Sequence, residues 1–153
     1  MGEGIGPSIL DDVKKVSSLE KLILVHGGGK EVTETARKLG KEKTFIVSPG
    51  GIRSRYTDKE TSLIYTMVMS GRIGKEIVVA LQRLGVNAVG LSGVDGGLMK
   101  AARKKKLIIV DERGRKRFVE GGYTGKISGV DAALLHMLLE KKYVPVVSPI
   151  ALG

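Results

Sequence analysis

A chain of 153 residues is long enough for one domain that buries roughly two-thirds of its unfolded surface, and 42% hydrophobic content without a long apolar run argues against a transmembrane helix. The absence of cysteine excludes disulfides and thiolate metal sites and fits a cytoplasmic protein, and with His26 and His136 as the only histidines a histidine-built metal centre is disfavoured too. Lys and Arg number 26 against 16 Asp and Glu, a net +10 that favours an acidic partner, whereas 4% aromatic content and no recognition motif count against nucleic acid.

Residues 1–6 are glycine-rich and lack the apolar core of a signal peptide. Pro7-Ser8 opens a helical pattern with Ile9, Leu10, Val13, Val16 and Leu19 on one face, and Asp11 and Asp12 are expected in its first turn. Residues 21–26 read as a buried parallel strand that runs directly into Gly27-Gly28-Gly29. A helix over 30–40 follows, with Val32, Ala36 and Leu39 inward and Gly40 as its stop. Glycines at a helix N-terminus let several backbone N–H groups approach an anion, but neither G-x-G-x-x-G nor P-loop spacing is present. An anion loop and a plain strand-to-helix turn are equal readings of these ten residues.

Residues 44–48 form a short strand broken by Pro49-Gly50-Gly51, and the next loop carries Arg53 and Arg55 before a helix starting at Thr57 or Asp58. Arginine suits bidentate recognition of carboxylate or phosphate; the competing reading is an arginine paired with a neighbouring acid. Residues 59–71 are helical with Leu63, Ile64, Met67 and Val68 inward, and Met67 and Met69 read as core or interface filler. A further helix spans 73–84, closed by Gly85. The strand at 87–91 ends in Ser92-Gly93-Val94-Asp95-Gly96-Gly97, where Asp95 either faces a ligand or closes an Asx-turn. Residues 101–106 are a basic run, 107–110 a strand and 111–117 a charged hairpin tip with Phe118-Val119 returning. Gly121-Gly122-Tyr123-Thr124-Gly125-Lys126 is another glycine loop. A helix over 130–141 should bury Leu134, Leu135, Leu138 and Leu139, and the last strand, 143–148, runs into Pro149-Ile150.

The alternation of strands and helices predicts an α/β fold, a three-layer α/β/α sandwich with a mainly parallel central sheet plus one β-hairpin. In such a fold ligands gather beyond the carboxyl ends of the strands. The triple glycine, the two-arginine loop, the Ser92 loop and the Pro149 loop all follow strands. Together they suggest a site for a small carboxylate, with backbone amides at one end and arginine at the other.

In order along the chain, Val25-His26-Gly27-Gly28-Gly29, Arg55-Tyr56-Thr57, Leu91-Ser92-Gly93-Val94-Asp95-Gly96 and Pro145-Val146-Val147-Ser148-Pro149-Ile150 resemble the amino acid kinase superfamily, in its acetylglutamate kinase branch. Gly51-Ile52-Arg53-Ser54-Arg55-Tyr56-Thr57 and Gly122-Tyr123-Thr124-Gly125-Lys126 are similar to the archaeal LysW-aminoadipate/LysW-glutamate kinases. The resemblance implies ATP- and Mg2+-dependent phosphorylation of a side-chain carboxylate on aminoadipate or glutamate attached to the acidic carrier protein LysW, in lysine and arginine biosynthesis. It places the backbone N–H groups of Gly28 and Gly29 on that carboxylate and on the transferring phosphoryl group, and Arg55 on the other end of the substrate. Arg53 and Lys126 are weaker candidates for touching the carrier. The resemblance implies no metal ligand within the chain, and the apolar helix over 59–71 suggests a homodimer.

Two features depart from the family. Its first strand bears a lysine and two glycines that grip ATP phosphates, and residues 1–6 offer no lysine. The family also continues beyond Pro149-Ile150 into an Asn…Asp segment and a nucleotide domain. The 153 residues are therefore expected to form a single acceptor-substrate domain, with the nucleotide-binding domain absent and no turnover by this chain alone. The alternatives are a non-catalytic module that binds an acidic carrier, an acetylglutamate kinase acting on free N-acetylglutamate, and a nucleic-acid binder.

Overall fold

The computed structural model describes residues 6–153, Pro7 by its backbone alone. Helix α1 (Pro7–Leu19) begins at Pro7, whose fixed φ suits a first helical position. That start places Asp11 and Asp12 in the second turn, and the first turn carries no acid, contrary to expectation. Val13 is buried, while Val16 and Leu19 lie on the outside. Strand β1 (Leu24–Val25) is shorter than expected and, among the described residues, pairs only with β9 (Val144–Ser148), in parallel, Leu24 opposite Val146. Helix α2 (Gly29–Lys38) follows at once, with Gly28 as N-cap and Val32 and Ala36 buried. Leu39 is exposed rather than inward: it is the C-cap, with non-helical φ and ψ that turn it off the buried face, and Gly40 at φ +74° ends the helix.

Strands β2 (Phe45–Val47) and β3 (Arg53–Arg55) form an antiparallel hairpin, so Arg53 and Arg55 stand on a strand and not in a loop. Helix α3 (Lys59–Thr66) is capped by Asp58, whose Oδ1 accepts from the Thr61 N–H at 2.8 Å. It does not stop at Gly71. The chain passes through a π-helical turn (Met67–Ile73) into α4 (Gly74–Arg83), with αR dihedrals at both junctions. Ile64, Val68 and Met69 are buried and Leu63 and Met67 exposed, where the sequence pattern placed both inward: Ile64 and Val68, four residues apart, form the stripe that faces the core, and Leu63 and Met67 form the neighbouring stripe.

The central sheet is parallel, in the order β1-β9-β4, with β4 spanning Ala88–Ser92. Every residue of β9 is buried, as its apolar run requires for a strand covered on both faces. Val144 and Val146 join Val13, Ile77, Leu81, Val86 and Ala88 in one core. A second core, Val32, Ala36, Ile64, Val68 and Met69, knits α2 to α3 and the π turn, with Ile150 packed on it. The single expected hairpin becomes three antiparallel pairs. Besides β2–β3 there are β6 (Lys106–Val110) with β7 (Lys116–Glu120), and β5 (Met99–Arg103) with β8 (Gly125–Val130). The basic run thus begins as strand β5, and Lys126 lies on β8 opposite Ala102 instead of in a glycine loop. Helix α5 (Ala133–Glu140) packs on β9, but its four leucines are half-buried rather than buried. Among the described residues no helix is long and apolar enough to cross a membrane.

Candidate functional site

The carboxyl ends of the three parallel strands meet. The His26 N–H donates to Val147 O at 3.2 Å and the Gly93 N–H to Ser148 O at 3.1 Å, bringing the loops after β1, β4 and β9 to one edge. Ser148, fully buried, exchanges a 2.7 Å hydrogen bond with Ser70 of the π turn. Asp95 does not close an Asx-turn, in which the side chain takes an N–H two residues onward: its Oδ2 accepts from the Ser92 N–H at 2.6 Å and the Ser92 hydroxyl at 3.0 Å, three residues back, which closes the loop on itself.

At the first strand end, Gly27, Gly28 and Gly29 bring the chain to the N-terminus of α2. Their N–H groups have no hydrogen-bond partner among the described residues, as the geometry of a helix start requires for its first amides. A Cβ on Gly28 would collide with the end of the Ile73 side chain and stand 2.7 Å from Met69 Sδ, so both side chains would have to shift to admit one. Gly27 and Gly29 are different. Neither has a positive φ, and a Cβ on either would meet nothing within 4 Å. Neither the backbone nor the packing requires them to lack a side chain, and the space they leave open lies where free amides and the positive end of the helix dipole face outward.

Arg55 approaches the same helix from β3. Its Nη2 donates to the Thr33 hydroxyl, on α2 four residues beyond Gly29, about 6 Å along the helix axis. Nη1 reaches the Tyr65 hydroxyl at 3.4 Å, and the guanidinium lies 5.7 Å from the Tyr65 ring centroid. The alternative of an arginine paired with a neighbouring acid is not realised: no carboxylate pairs with it among the described residues, and its buried Nε has no partner. A half-buried cation held in place by neutral hydroxyls is poised for an anion.

Thr33 and Tyr65, which hold Arg55, were not singled out in the sequence; no motif marks them, because the contacts cross 22 and 10 residues of chain. The other candidates are apart from this pair. Arg53 is exposed and stacks over the Phe45 ring at 4.1 Å. Lys126 is exposed on β8. Neither is brought into contact with Gly28 or Gly29. A cavity of about 470 Å³ opens beyond Tyr65, lined by Thr57, Arg103, Tyr123 and Ile150 among others. Arg103, another residue outside the sequence candidates, lies over the Tyr123 ring at 4.3 Å and donates through Nε to Gly122 O.

Two anchored carboxylates support this architecture. Lys41 Nζ, 2.7 Å from Asp58 Oδ2, together with the Thr61 N–H holds the Asp58 carboxyl down at about 2. Asp111, at the tip between β6 and β7, gathers the Arg115 and Arg113 amides and the Arg115 and Arg117 side chains, which hold its carboxyl below the usual range. Among the described residues no three His, Cys, Asp or Glu side chains gather in a metal-holding group. The expectation about a phosphate-gripping strand falls on residues 1–6, of which 1–5 lie outside the described residues.

The family model described as the amino acid kinase family matches residues 5–153. A protein of Cenarchaeum symbiosum assigned provisionally as a LysW-aminoadipate/LysW-glutamate kinase is 61% identical over 151 residues, covering 99% of this chain and 56% of that protein. The LysW-aminoadipate/LysW-glutamate kinase of Saccharolobus solfataricus is 53% identical over 133 residues, covering 87% of this chain and 50% of that protein. The chain spans about half the length of the curated relatives it matches. Among solved structures, smu.665 from Streptococcus mutans superposes with a TM-score of 0.73 at 18% identity, over 95% of this chain and 53% of that one. N-acetylglutamate synthase from Neisseria gonorrhoeae gives 0.63 at 20% identity, over 92% of this chain and 29% of that one. At these identities the two structures speak for the fold.

Proposed function

We propose a function from one premise: the chain belongs to the amino acid kinase family. It forms the acceptor-binding domain of a kinase that phosphorylates the side-chain carboxylate of aminoadipate or glutamate carried on the acidic protein LysW, in lysine and arginine biosynthesis. The names of its relatives support that substrate class, and the +10 charge suits an acidic carrier. The observation that carries the reading is Arg55, a cation without a carboxylate partner among the described residues, held by Thr33 about one helical turn from the open amides of Gly28 and Gly29.

In this reading the N–H groups of Gly28 and Gly29 receive the reacting carboxylate, and Arg55 takes the other end of the amino acid. The carboxylate oxygen is itself the nucleophile, so no side chain need form a covalent intermediate. The same amides then neutralise charge on the group being transferred, and catalysis is positioning plus electrostatic stabilisation. ATP with Mg2+ supplies the phosphoryl group when bound; the open space at Gly27 and Gly29 fits an oxyanion there. Arg53 and Lys126, both exposed, are placed to meet the carrier rather than the amino acid. A homodimer through the exposed Leu63 and Met67 belongs to the same reading, as does a cytoplasmic setting, which the absence of cysteine supports. Residues 1–153 act as one acceptor domain.

Calorimetry with aminoadipate-loaded carrier tests this. Binding at low salt that weakens steadily as salt is added is expected. No heat of binding at low salt would remove the proposal.

A further inference from the structure

We propose that His26 is a positioning residue for this acceptor site: its imidazole fixes the Gly27–Gly28 peptide so that the Gly28 N–H faces the bound carboxylate. The inference rests on the acceptor reading above. His26 sits between β1 and the triple glycine and is 8% exposed. Its Nδ1 lies 3.1 Å from the Gly27 carbonyl oxygen. A carbonyl oxygen can only accept, so the proton of the ring belongs on Nδ1. The Gly27–Gly28 peptide is trans, like every described peptide bond, and in a planar trans peptide the C=O and the N–H point in opposite directions. Holding the Gly27 carbonyl toward the imidazole therefore turns the Gly28 N–H away from it. On Gly28 itself, Ile73 and Met69 close in so tightly that a Cβ has no room. The peptide is held from two sides, and its N–H has no partner among the described residues.

The second ring nitrogen separates positioning from packing. Nε2 is buried and has no hydrogen-bond partner among the described residues. It presses on the start of α4, where Gly74 lacks the Cβ that would stand 3.4 Å from it. The cavity beside the ring is lined by Ile9, Leu10, Leu24, Ile73 and Ile77 together with Glu31 and Glu76, and neither carboxylate hydrogen-bonds Nε2. Leucine or methionine would fill such a place without leaving a buried nitrogen unpaired, so packing gives no reason for an imidazole here. The Nδ1–H at Gly27 does.

The test uses the 15N-labelled chain with N-acetyl-L-glutamate as probe. Expected are the Nδ1–H tautomer at His26 and movement of the Gly28 and Gly29 amide signals on titration. His26→Asn, whose side-chain amide can stand in for Nδ1–H, keeps the affinity, whereas His26→Leu loses about tenfold with a melting temperature as high as the parent's. An Nε2–H tautomer, full affinity in His26→Leu, or equal loss in both variants would overturn the proposal. Amide signals that stay still in the parent chain at saturating probe would instead bring down the acceptor reading. In that event the ligand-free Gly28 signal still decides the role of His26, because a signal unchanged in His26→Leu overturns it.

Discussion

A methyl group at position 28 would run into Ile73 and Met69, whereas one at position 29 would meet nothing within 4 Å. Two adjacent glycines thus separate a packing constraint from the role proposed for the loop. Gly28→Ala is expected to lower the melting temperature by several degrees, on the order of 1–3 kcal/mol of overpacking. Gly29→Ala should melt like the parent yet bind loaded carrier more weakly, since its methyl occupies the space left for the carboxylate. Thermal denaturation beside calorimetry separates the two. Asp58 gives a prediction in pH. Its hydrogen bond to Lys41, then the Thr61 N–H, depresses the folded carboxyl from 3.8 to about 2. A depressed carboxyl stabilises the fold above its unfolded value and loses that contribution as pH falls through its folded value. Acid unfolding should therefore show stability falling between about pH 4 and pH 2, a fall that Asp58→Ala makes shallower while Asp111 keeps its own share, and the variant also costs about 1 kcal/mol at neutral pH through the lost helix cap. An unchanged acid profile in the variant would contradict this role.

At the scale of elements, what the sequence made legible was what local chemistry controls. Pro7 opening a helix, Asp58 as a cap, Gly40 and Gly85 at positive φ after their helices, and glycines following β1 are all short-range signals. Arg55 could be picked out by residue type, but its support by Thr33 and Tyr65 is a tertiary arrangement with no local mark. The π turn was illegible for a related reason. Nothing local in Met67–Ile73 sets a π turn apart from a continuing α-helix, and Gly71 reads as a stop although the chain runs on into α4. Strand β5 escaped notice because its basic residues suppress the apolar signal of a strand, and its partner β8 lies beyond a whole intervening hairpin. The exposed pair Leu63 and Met67 supplies the prediction at this scale. Leu63 and Met67, four residues apart, present one apolar face of α3 and the turn after it. Leu63→Glu should shift the chain from dimer to monomer in sedimentation at micromolar concentration without altering its circular dichroism. A parent chain that sediments as a monomer would rule out this interface.

For the whole molecule, the net charge of +10 and the gathering of strand ends act at different ranges. Charge draws an acidic protein in and is screened by salt over about 10 Å at 0.1 M. In the proposed reading the Gly28–Gly29 amides and Arg55 act only at contact, on whatever that protein carries. A module that merely docks an acidic carrier would need the first and not the second. The direct comparison is therefore calorimetry of the parent, Gly29→Ala and Arg55→Ala with carrier bearing aminoadipate and with bare carrier. If the carboxylate lies between the glycine amides and Arg55, each variant should lose roughly tenfold or more in affinity for loaded carrier, as expected for removing a charge-assisted contact, and bind bare carrier like the parent. Equal losses on loaded and bare carrier, or none on either, would contradict it.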